Sequence, residues 1–164
     1  MYQSNGDEII IQLNDLPMPS GGAPMPIILS DDLQTVIAYY TNEDSISESQ
    51  EGEQIAIVTF KISYATLVSP PNDEAFIGHP LYKMGLKSYF ISKIENSPWI
   101  SSVMIMNSVH PYHNPQTFEK YSHYIIPFKE SVFECLAEKY GYQLITGRMS
   151  DAFEIMRRNL FENS

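Results

Sequence analysis

Apolar residues in this chain alternate with polar ones in short runs more often than they recur at helical spacing. Residues 7–13 hold Ile9, Ile10, Ile11 and Leu13, a run of strand length. A second strand is expected over residues 34–41, with Val36, Ile37, Tyr39 and Tyr40. Residues 54–62 give a third, where Ile55, Ile57 and Thr59 alternate with Ala56, Val58 and Phe60. Both faces of that strand are largely apolar, which places it at the centre of a sheet. Residues 87–95 set Tyr89, Ile91 and Lys93 against Phe90, Ser92 and Ile94. Residues 123–128 and 132–137 read as a hairpin, and residues 142–146 as one more strand.

Helical spacing begins only after residue 96. Ser97-Pro98 combines a hydroxyl cap with proline at the first helical position, and Trp99, Ile100, Val103, Met104 and Met106 follow. That helix should stop near Asn107, ahead of Pro111. Asn114-Pro115 repeats the signal for a short helix reaching Tyr121. Ser150 caps a last helix over residues 151–160, with Phe153, Met156 and Leu160 as its expected apolar face. Proline and glycine crowd residues 16–26, a crossing without regular structure. Residues 42–53 are polar and acidic around a single Ile46, which predicts an exposed, mobile loop. Residues 69–74, with Pro70-Pro71, form a seam, but the short strands before it would make a poor core alone. The pattern predicts one α+β domain over residues 1–164. Its sheet is mostly antiparallel, with a few short helices mainly in the C-terminal two-thirds.

Composition changes this picture in two ways. Hydrophobic residues make up 43% of the chain, enough for a core, and Cys135 is the one cysteine, so no internal disulfide forms. No leader-like segment and no apolar stretch of membrane-spanning length is evident, and a cytoplasmic location is expected. The formal net charge of −10 falls wholly on residues 1–60, which hold acids and no Lys or Arg before Lys61. Nucleic acid is a poor partner for such a chain. A basic protein could dock on the acidic portion, or the charge could serve solubility alone.

Candidate chemistry lies in the histidine- and aromatic-rich portion, residues 76–164. Signatures of phosphate loops, nucleophile elbows, zinc-protease helices and paired cysteines do not occur. Cys135 shares a strand face with Phe133 and reads as a core thiol. The four histidines, His79, His110, His113 and His123, fall in one stretch beside Trp99 and Tyr112, and these are the candidate binding residues together with Glu134. His110 and His113 have a spacing that could hold a metal, but Pro111 denies them a helical platform; no metal and no cofactor is expected.

A two-residue turn at Lys129-Glu130 pairs Tyr124 with Cys135, Ile126 with Phe133 and His123 with Leu136. His123 and Glu134 then become diagonal neighbours on the face opposite Cys135, among Ile125, Val132 and Leu136. A carboxylate in such surroundings needs a partner, and the imidazole is at hand.

Gly78-His79-Pro80-Leu81, Glu95-Asn96-Ser97, Trp99, His110-Pro111, His113, His123-Tyr124 and Phe133-Glu134-Cys135 together resemble a family of small bacterial proteins without an established activity. The resemblance covers residues 78–137 and implies a location, not a function. The chain departs from the family pattern at Lys129-Glu130, where His-Asp is usual. Two functions follow as expectations. One is a small acidic binding or regulatory module without catalysis, for instance an immunity- or antitoxin-like protein. The other is a small hydrolase with His123 and Glu134 as a general-base pair.

Overall fold

The computed structural model describes residues 2–42 and 52–162. Most of the loop expected over residues 42–53 lies outside them. Among the described residues seven strands form one antiparallel sheet: β1 (Ile9–Gln12), β2 (Ile27–Ser30), β3 (Gln34–Tyr40), β4 (Glu53–Ser69), β5 (Ser92–Glu95), β6 (Ser122–Pro127) and β7 (Val132–Gly147). Their order is β1-β5-β6-β7-β4-β3-β2, with β4 and β7 central and running far longer than the rest. Among the described residues two α-helices, α1 (Pro98–Asn107) and α2 (Met149–Glu162), and short 3-10 turns, the last over Pro115–Phe118, accompany the sheet. Among the described residues no helix is long and apolar enough to cross a membrane.

The α+β class agrees with the sequence pattern, and the departures from it concern extent. β4 continues past Ile62 to Ser69 through a register shift between Ser63 and Ala65. Ile62 takes a left-handed φ of 53° there. That bulge breaks the period-two pattern, so periodicity alone stops too early. β7 likewise fuses two expected strands, and β2 is a short edge strand without clear alternation. Residues 87–91 contribute no strand; only Ser92–Glu95 pair. In α2 the buried stripe is Ala152, Met156 and Leu160, at intervals of four, while Phe153 is 38% exposed. Ala152 therefore takes the place expected for Phe153, one position away, while Met156 and Leu160 are buried as expected.

The long strands let the sheet curl upon itself. β3 and β6 stand three places apart, roughly 14 Å along a flat sheet. Yet the rings of Tyr39 and of Phe128, the residue after β6, lie 5.4 Å apart, and along the adjacent strands β4 and β7 Phe60 comes equally close to Phe133 although it pairs with Tyr140. One face thus closes on itself around Ile37, Tyr39, Val58, Phe60, Tyr124, Ile126 and Cys135. Burial pushes the Cys135 thiol up to about 12, an inert core group. The proline-rich crossing helps close this face: Leu13 and Leu16 pack into it, and the Tyr39 hydroxyl donates to the Pro17 carbonyl.

The other face carries two separate covers. α2 lies over Val36, Ala38, Ile55 and Ile57 of β3 and β4. Over β5, β6 and the start of β7 lie the N-terminal residues, α1 and the turns around Phe76–Gly78 and Tyr82–Met84. Beneath this second cover the buried surface includes polar groups.

Candidate functional site

The β6–β7 hairpin sets the site. Its register is Tyr124↔Cys135, Ile126↔Phe133 and His123↔Leu136, with Phe128 N–H donating to the Ser131 carbonyl around the Lys129-Glu130 turn. Alternation sends Tyr124 and Cys135 to the closed face and His123 and Glu134 to the other. Ile125 stands directly opposite Glu134, so His123 is its diagonal neighbour. His123 Nε2 and Glu134 Oε2 are 2.8 Å apart.

Both ends of this pair are extended by other elements. Ser97 caps α1, its Oγ accepting the Ile100 N–H, and the same Oγ lies 2.9 Å from His123 Nδ1. Tyr2 donates its hydroxyl to Glu134 Oε2 at 2.6 Å. Its ring stacks on Trp99 at 6.2 Å and meets His123 edge-on at 5.5 Å. The chain end is folded back to this point by Glu8, whose carboxylate accepts from Ser4 Oγ and the N–H groups of Asn5 and Gly6. Gly6 at φ 90° permits the tight turn. Asn96 Nδ2 then fixes the Asp7 carbonyl.

The protonation states follow from these contacts. Burial lowers His123 from its ordinary value despite the carboxylate beside it, so the ring is neutral. Nε2 carries the proton toward Glu134, and Nδ1 accepts from the Ser97 hydroxyl. Burial alone would raise Glu134. The His123 N–H, the nearby His79 ring and the Tyr2 hydroxyl outweigh it and lower the carboxyl to about 2. Burial, then the neighbouring carboxylate, push the Tyr2 phenol far above its ordinary range. The result is a hydrogen-bonded chain with one fixed negative charge at Glu134.

His79 faces the second carboxylate oxygen. Its ring is held by stacking on Phe76, centroids 5.6 Å apart, and its Nδ1 accepts the Leu81 N–H. The ring proton therefore sits on Nε2, 3.7 Å from Glu134 Oε1 and too far for a hydrogen bond. Among the described residues no fully buried side-chain nitrogen or oxygen lacks a partner. Both side chains instead line, with Gly78, a cavity of about 320 Å³ walled by Ser69, Pro70, Pro71, Ala75 and Pro80.

The sequence-expected residues thus divide. His79, His123, Glu134 and Trp99 come together. His110, His113 and Tyr112 lie on the exposed turn after α1, where Tyr112 is 89% exposed and His113 Nδ1 pairs with Asn107 Oδ1. Pro111 and the end of the helix turn them outward, and no hydrogen bond or ring contact joins them to Glu134. Among the described residues no three His, Cys, Asp or Glu side chains gather as a metal set. Tyr2 and Ser97 are members that periodicity could not find as partners of this pair.

The acidic portion is put to local uses. Besides Glu8, Asp31 accepts the N–H groups of Leu33 and Gln34 in the β2–β3 turn, and Asp15 accepts from the Tyr140 hydroxyl. Asp7 and Glu8 precede one edge strand of the sheet, while Asp31 and Asp32 adjoin the other.

Comparison of the chain with family models, curated proteins and solved structures finds no match.

Proposed function

We propose that this protein is a non-catalytic binding module whose recognition centre is Glu134. One observation carries this. The carboxylate is 2% exposed; one oxygen is saturated by two donors, and the other opens with His79 onto the cavity. A buried charge costs several kcal/mol even when paired, and an apolar residue would serve the fold as well. A permanently ionised, rigidly held acceptor beside a free N–H donor is what polar recognition needs.

A hydrolase has one observation in its favour: Ser97, His123 and Glu134 are linked as hydroxyl, imidazole and acid. The surroundings count against it. Ser97 is 5% exposed with its oxygen committed to capping α1, and His123 is wholly buried.

A fragment screen by two-dimensional amide NMR tests the proposal. A mixed set of neutral, cationic and anionic fragments should shift the signals of residues 75–80 and 134, and Glu134→Gln should remove those shifts. Shifts confined to other surfaces would contradict the proposal. A fluorophosphonate probe should leave Ser97 unlabelled; stoichiometric labelling there would establish the hydrolase instead.

A further inference from the structure

We infer, resting on the binding role proposed for Glu134, that the cavity takes a primary carboxamide or lactam: a planar group with an oxygen acceptor and an N–H donor on one carbon. Of the polar side chains lining the cavity, Ser69, His79 and Glu134, the last two set a donor, His79 Nε2–H, beside an acceptor, Glu134 Oε1, 3.7 Å apart. His79 is fixed in that sense because its Nδ1 already accepts the Leu81 N–H and its ring is stacked on Phe76. Glu134 is fixed because Oε2 already takes the protons of His123 and Tyr2. A matching ligand therefore needs an acceptor for His79 and a donor for Glu134, side by side.

Competing groups fit less well. A single hydroxyl oxygen placed about 2.8 Å from both atoms would subtend an angle of only about 80°, well short of tetrahedral. An ammonium group satisfies Glu134 but cannot accept the His79 proton. A carboxylate would accept from His79 and confront Glu134 with a like charge. An O=C–NH₂ unit meets both atoms with separate bonds, and its substituent can lie against Pro70, Pro71 and Pro80. A secondary amide in its ordinary trans form turns its oxygen and N–H apart, so an extended peptide backbone does not fit. An Asn or Gln side chain or a cyclic lactam does.

The test uses benzamide against methyl benzoate, N,N-dimethylbenzamide, benzoate and benzylamine, titrated into the full-length protein and followed at the amides of residues 75–80 and 134. Benzamide should bind at least about tenfold more tightly than methyl benzoate or N,N-dimethylbenzamide, because the loss of N–H leaves Glu134 Oε1 unpaired. His79→Ala removes the donor to the benzamide oxygen and should weaken benzamide binding at least about tenfold, while leaving the α2 signals unmoved, which reports an intact fold. Methyl benzoate or benzylamine binding there as tightly as benzamide would overturn the ligand class and leave the binding role standing. A general fragment set that also fails to bind there would overturn both.

Discussion

Two covers lie on the same face of the sheet, and they are built differently. Under α2 the described buried side chains are mostly apolar: Val36, Ala38, Ile55 and Ile57 meet Ala152, Met156 and Leu160. Under the N-terminal segment and α1, Ile94, Ile125 and Leu81 surround Tyr2, Ser97, His79, His123 and Glu134. The α2 side shows that this sheet can be covered without a charge. On the proposed binding role the polar chain is an addition to what folding requires, and it ends at a carboxylate that lines a cavity.

Breaking each cover should give different failures. His123→Leu leaves Glu134 charged and short of its main donor, and should cost about 3–5 kcal/mol in urea unfolding. Met156→Ala should cost about 2–5 kcal/mol by lost burial and a residual cavity. The second loss should be independent of pH. The first should shrink in acid, where Glu134 can take up a proton. Equal pH dependence of the two variants would dissolve the contrast.

Smaller changes sharpen it. Tyr2→Phe removes one hydrogen bond to a charged acceptor and should cost about 1.5–3 kcal/mol. It should also raise the Glu134 pKa from about 2, a change visible by carbon-detected carboxyl titration. The wild type should lose stability in two acid steps. Folded His123 resists a proton that the unfolded ring takes up near 6.5, so stability falls as pH drops below that value. Glu134 stabilises fully above its unfolded value of 4.5, and that contribution is lost as pH falls toward about 2. His123→Leu should lack the upper step, as followed by urea midpoints across the pH range.

The hairpin was legible because its two strands each alternate cleanly and the Lys129-Glu130 turn fixes their register, so the His123–Glu134 diagonal follows from counting. Ser97 was visible as a helix cap, but its second bond, to His123, crosses between elements and leaves no periodic trace. Tyr2 lies 132 positions from Glu134. Its only signal is an aromatic residue in an otherwise polar N-terminal run. The extent of β4 was hidden by the bulge near Ser63, which resets the alternation, and that of β7 by the polar run Glu138-Lys139-Tyr140-Gly141 between its two apolar parts. His110 and His113 share composition with the site but not its place, because the residues around Pro111 carry them away from the sheet.

The central claim, that the polar chain is present for recognition and not for the stability of the fold, is tested most directly by replacing it whole. The triple variant Tyr2→Phe, His123→Leu, Glu134→Met removes the charge together with its two donors and keeps the approximate volume. Its free energy of urea unfolding at pH 7 should be within about 1 kcal/mol of the native value or above it, as expected when a buried ionic set is exchanged for apolar residues. A triple variant that is unfolded, or that loses as much as His123→Leu alone, would show that the chain holds the fold together and would contradict the account.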